Sequence, residues 1–182
     1  EVFSMANSLV GNDQGNFVII DIGSRVCNII LISKGIILSN RNIDSGGNDL
    51  TRTIATSMNI DEERAEDLKI SGKNFFSKES SINFPSLEMI IGETTRLIDA
   101  SVKKQQIDKI DSIILSGGSG KLTGLTEYLG STLGINAIIG NPLGRVGYDR
   151  RLQPVIEKIQ TNFSVCIGLA LRGAEEYING IK

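Results

Sequence analysis

Three short stretches place small residues where backbone N–H groups can point outward: Asp21-Ile22-Gly23-Ser24, Gly46-Gly47-Asn48 and Ser116-Gly117-Gly118-Ser119-Gly120. Turns of this kind, at a strand end or a helix start, gather amide dipoles and attract phosphate or carboxylate groups. The last stretch, within IILSGGSGKLTGL, invites comparison with a phosphate-binding loop, but its spacing fails. A P-loop has a glycine five residues before its Gly-Lys pair and a hydroxyl directly after it, and Leu115 and Leu122 stand at those places. A dinucleotide fingerprint needs a glycine where Thr123 stands, with Gly124 one place late. No acidic residue closes the next apolar run, INAIIGN, to hold a ribose. Taken alone, the stretch reads equally well as a plain strand-to-helix turn.

Composition narrows the chemistry further. The 182 residues contain no histidine, which removes the commonest general base and metal ligand. Cys27 and Cys166 lie far apart and form no C-x-x-C pair, so both read as buried reduced thiols, and Cys27 within an apolar run reads as a packed small hydrophobe. Nineteen basic and 21 acidic residues leave a net charge of −2 without long runs of one sign, which argues against a nucleic-acid surface. A 40% hydrophobic content suits one domain or two small lobes with a real core. The apolar runs fall short of a membrane span, and no signal sequence precedes them. The start at Glu1 rather than Met suggests an excised piece.

The elements that must position the three turns follow from periodicity. FVIIDIG, VCNIILIS and GIILSNRNI read as an antiparallel meander that opens the domain. DLTRTIATSM and EERAEDLKI read as helices, the second with Asp61 at its start and acidic residues in its first turn. Residues 71–85 read as a loop or lobe connection, and 86–105 as a long helix with an apolar stripe. A strand (DSIILSG), a helix (GLTEYLGSTLG), a strand (INAIIG), an irregular region over 141–160 and a final helix over 161–177 complete the order. A meander, a helical stretch and then a βαβα run predict an α/β lobe with a mixed sheet.

These runs also carry a resemblance. VIIDIGSRVCNIILISKG, IDSGGNDLTRTIA, ERAEDLK, IILSGGSGKLTGLTEYL, NPL and IGLALRG together resemble the second half of an actin-like ATPase-fold protein, the fold of actin, heat-shock chaperones, sugar kinases, FtsA and PilM. The greatest similarity is to the PilM-like type IV pilus assembly proteins, with NPL and IGLALRG favouring these over FtsA. The resemblance implies an actin-like (ribonuclease H-like) ATPase lobe over 1–182, with a helical sub-lobe at about 48–106 and a first lobe absent from the chain.

Site roles follow from the same resemblance. The D-x-G turn corresponds to a phosphate loop, with Gly23, Ser24 and Arg25 toward the phosphates of ATP and Asp21 toward the water shell of Mg²⁺. Gly117, Gly118 and Ser119 correspond to the adenosine motif, and Glu66 and Lys69, three apart on one helix face, to a second adenosine clamp. Read without the resemblance, Glu66 and Lys69 are an exposed ion pair contributing little. Lys121 is expected to face solvent. Arg25, Val26 and Cys27 replace a hydroxyl-rich run of relatives. Losing two charge-assisted hydrogen bonds at about 1.5 to 3 kcal/mol each would weaken phosphate affinity by about two to four powers of ten.

No residue of this chain is assigned a catalytic role, and at most weak ATPase activity is expected, in the complete protein only. The implied setting is cytoplasmic, at the inner face of the membrane through the tail of a PilN-like partner, whose groove would lie mostly in the missing lobe. Self-association is left open. An FtsA-like filament protein and a small-molecule kinase of the same fold are the alternatives; the ending EEYINGIK lacks the basic amphipathic helix the former requires. The Arg- and Tyr-bearing 141–160 segment reads either as a partner surface or as a solvated loop.

Overall fold

A computed structural model describes residues 1–77 and 80–180. At its centre is a five-stranded mixed sheet: β1 (Asn16–Ile22), β2 (Cys27–Ser33), β3 (Ile36–Ile43), β4 (Ser112–Ser116) and β5 (Ala137–Ile139), in the order β3-β2-β1-β4-β5. The first three strands form the expected antiparallel meander, and β1-β4 and β4-β5 are parallel. Lys34 and Gly35, at φ 51° and 76°, make the tight turn between β2 and β3, whose twist matches that of the strands it joins.

Alternation along the strands divides two cores. Val18, Ile20, Ile22, Cys27, Ile29, Leu31, Ile113 and Leu115 face one layer, formed by α2 (Gly47–Met58), α3 (Glu62–Ile70), α4 (Pro85–Lys103) and α5 (Leu125–Leu133). Ile19, Ile30, Ile32 and Ile114 face the other, where Met5 and Val165 pack. β2 is buried along its whole length because both of its faces are covered.

Three expectations need correction. Of the two cysteines only Cys27 is buried; Cys166 is exposed, because it lies in the last helix, Ser164–Gly180, off the side that carries the buried Ser164 and Gly168. The domain opens not on a strand but on a helix, α1 (Val2–Leu9), which packs against α7 (Ser164–Gly180). Eight residues carrying two serines and an asparagine give little helical periodicity of their own, and the contact with α7 supplies what propensity does not. The 141–160 region is also not wholly irregular. It contains a 3₁₀ turn over Arg150–Leu152 and α6 (Gln153–Ile159), which has Pro154 in its first turn and no buried residue, so no buried face marks it in the sequence. Of the connection expected over 71–85, Lys78 and Glu79 lie outside the described residues, as do Ile181 and Lys182 at the end of the chain. Among the described residues, no helix is long and apolar enough to cross a membrane.

Candidate functional site

The three glycine turns meet and are bonded to one another. The β1-β2 hairpin loop (residues 23–26) offers its carbonyls to the start of α2: Gly47 N–H donates to Gly23 O at 2.8 Å, and Asn48 N–H to Ser24 O at 2.8 Å. From the other side, Ser119 N–H donates to Ile22 O at 3.2 Å. Asp49 completes the start of α2 by accepting from Gly46 N–H at 3.0 Å and Ser45 Oγ at 2.8 Å. The Gly46 amide bond is the main cause holding its carboxyl below the usual range.

This arrangement decides which amides are free. The first amides of α2 are committed to the hairpin loop, so they are not the anion site that a helix start by itself suggests. Among the described residues, the N–H groups of Ser24, Arg25 and Gly118 have no hydrogen-bond partner, and all three residues are exposed. Ser24 and Gly118 border a cleft of about 180 Å³ lined also by Gly47, Asn48, Glu66, Lys69 and Ser119, and Arg25 follows Ser24 in the hairpin loop.

The glycines of the β4-α5 turn have different tasks. Gly117 is buried at φ 81°, and a Cβ there would lie 2.4 Å from Ile22 O, so internal packing requires glycine. Gly118 is exposed, and the nearest atom to an added Cβ would be Asn162 Oδ1 at 3.8 Å. Ser119 is buried and packs directly against Gly47. Of the three predicted residues, Gly118 presents an open surface toward the cleft.

Glu66 and Lys69 do share a face of α3, but they are not an exposed pair. Lys69 is 6% exposed, and its ammonium reaches Gly47 O at 3.0 Å, Thr51 Oγ1 at 2.7 Å and Glu66 Oε2 at 2.6 Å. These three partners match its three donors. Burial disfavours the Glu66 carboxylate, but the Lys69 and Thr51 hydrogen bonds and the lysine charge outweigh it and hold its pKa below the ordinary value. Lys69 therefore ties α3 to the first turn of α2, and Glu66 stays half-exposed at the cleft. Thr51 was not recognisable from sequence, because a threonine inside a helix pattern is unremarkable until Lys69 is seen to reach it.

Asp21 lies on the other sheet face, in register with Asn28 on β2 and Ser116 on β4. Burial raises its pKa, hydrogen bonding to Ser116 and Asn28 opposes the rise, and the Glu1 charge adds to it. Asn28, a polar residue inside the apolar run VCNIILIS, was the available signal for this pairing. Ser116 Oγ is in turn 2.8 Å from Ser164 Oγ at the start of α7. Cys27 is fully buried; burial first and the Asp21 charge second push its thiol pKa far upward, which leaves a packed neutral side chain. Lys121 is exposed, as expected, and donates to the Lys158 carbonyl in the last turn of α6.

Comparison with known proteins agrees with this architecture. A solved PilM-PilN type IV pilus biogenesis complex matches with a TM-score of 0.74 at 29% identity, over 94% of this chain and 51% of the matched one. The ethanolamine utilization protein EutJ of Carboxydothermus hydrogenoformans matches at a TM-score of 0.58 and 22% identity, over 94% and 53%. MreB 5 of Spiroplasma citri bound to AMPPNP matches at 0.55 and 16%, over 100% and 61%. The last two likenesses show the fold alone, which is the actin-like ATPase fold. The chain spans about half to three-fifths of the length of these structures. The sequence pattern of the type IV pilus assembly protein PilM matches residues 2–174, so the chain belongs to that family.

Proposed function

We propose that this chain is the second lobe of a PilM-like pilus assembly protein, holding one side of an Mg-ATP site that a first lobe closes. The observation that carries the reading is the pair of unpaired amides of Ser24 and Gly118 on a cleft whose other walls are fixed by mutual hydrogen bonds, with the free Arg25 amide next to Ser24 in the hairpin loop. The residues fit the group at both ends. Gly118 leaves room for close approach of a sugar and base, and the half-exposed Glu66 offers an oxygen to a ribose hydroxyl. At the hairpin loop the free amides of Ser24 and Arg25, with the Arg25 side chain, stand where the family resemblance implies hydroxyls. Asp21 would supply one oxygen toward a Mg²⁺ shell completed by phosphate and water, and a cation there would favour its ionised form.

Bound nucleotide would supply a charged bridge between lobes. The residues of this chain would bind and orient it, and the closed state would favour the cytoplasmic tail of a PilN-like membrane partner. The PilM-PilN complex and the nucleotide-bound MreB structures support this reading by family and by fold, respectively. The protein would then work at the inner membrane face through its partner. The test is calorimetric titration of Mg-ATP into the complete protein and its Gly118→Phe variant. Binding that the variant loses supports the site. Failure of the unchanged protein to bind would leave the fold as a scaffold for assembly.

A further inference from the structure

We propose that the site accepts purine nucleoside triphosphates as a class rather than adenine alone, an inference that rests on the nucleotide reading above. Beyond Gly118 the cleft opens into a wider part of about 590 Å³. Its apolar walls are Ile70, Leu122 and Ile139, of which Ile70 is 68% and Ile139 46% exposed, so apolar surface is left for a base to cover. The polar side chains around it are engaged elsewhere or are unselective. Lys121 donates to the Lys158 carbonyl, Glu157 accepts from Gln153 at 2.7 Å, and the donors of Lys69 are taken by Gly47, Thr51 and Glu66. The Thr123 hydroxyl both donates and accepts, so it serves either base edge, and Lys158 is an exposed, solvated cation.

Adenine and guanine differ in donors and acceptors on one edge, and proteins tell them apart with side chains that carry a fixed pair, chiefly Asn, Gln or a carboxylate. Among the described residues no Asn, Gln or Asp lines the wide part itself and its one glutamate is already paired; the exposed Asn162, whose Oδ1 lies nearest Gly118, accepts there from Thr161 Oγ1 at 3.4 Å. Rejection by several powers of ten requires polar groups that the wrong ligand leaves unpaired, whereas apolar walls discriminate weakly between ligands of similar shape. The groups at the narrow end, the free amides and Glu66, meet the phosphates and ribose, which both purines share.

Titrating the complete protein with Mg-ATP and Mg-GTP, and repeating both with Gly118→Phe, tests the inference. Dissociation constants within tenfold of each other, both weakened at least tenfold by the substitution, are expected. A preference above tenfold for either purine overturns it. So does GTP binding that survives the substitution when ATP binding does not, since GTP would then sit elsewhere. Binding of neither nucleotide overturns the nucleotide reading itself. Gly118→Val replaces Gly118→Phe should the larger side chain unfold the protein.

Discussion

The Gly47 amide donates to the Gly23 carbonyl at 2.8 Å, and a Cβ on the adjacent Gly46 would stand 2.5 Å from that same carbonyl oxygen. The hairpin loop and the first turn of α2 thus form one unit, with no room for a side chain between them.

Gly46→Ala forces backbone against backbone and is expected to cost about 1–3 kcal/mol. Gly118→Ala enters open space and is expected to stay within about 0.5 kcal/mol of the parent. Urea denaturation of the two variants side by side measures the contrast; equal midpoints would mean that the loop yields more readily than the packing indicates.

Lys69→Met removes the cation that joins Gly47, Thr51 and Glu66. Glu66 can be rehydrated at its exposed side, but the Gly47 carbonyl loses a donor, so a loss of about 1–3 kcal/mol is expected. The urea midpoint reports the cost, and backbone amide exchange in the first turn of α2 reports its place. Unchanged exchange there would remove the tethering role.

Asp21→Asn is expected to stabilise the ligand-free protein at pH 7. Burial raises the carboxyl's folded pKa above the reference value of 3.8, so the folded state binds more protons than the unfolded one between those two pKa values. Stability contributed by the protonated form is full below 3.8 and is lost as pH rises through the folded pKa. The gain from asparagine should therefore be present at neutral pH and fade as pH falls toward 3.8. A variant less stable than the parent at pH 7 contradicts this. Mg²⁺ nucleotide should stabilise the parent more than the variant, since the carboxylate is then used.

Gly168→Val tests the contact between α1 and α7. A Cβ at Gly168 would fall 1.8 Å from Ser4 O, so the helices must part, at a cost of about 3 kcal/mol or more. Limited proteolysis after α1, around residues 10–15, should accelerate in the variant. Resistance equal to the parent's would show that the helices readjust together.

Much of the sheet was legible because β1, β2 and β4 are short, β-branched and bounded by Gly, Ser or Lys-Gly turns, signals that survive without tertiary context. The α1 helix was not legible, since its stability resides in a partner some 160 residues away, nor was α6, which buries nothing. At the site, sequence brought out the glycine turns but not their division of labour. Gly117 and Gly118 are identical letters, and only the proximity of Ile22 O shows that one serves packing and the other faces open space. Likewise the Glu66 and Lys69 spacing showed a shared face, but the ammonium's turn toward α2 depends on Thr51, fifteen positions before Glu66.

The three-way grip of Lys69 also sets the shape of cation this position can take. Its partners converge on a single nitrogen from three directions, which suits a compact ammonium. An arginine carries the same charge, but spread over a flat fork that cannot point at one centre. The exchange that looks mildest on paper would therefore push α3 away from α2, and the width of the cleft would change with it.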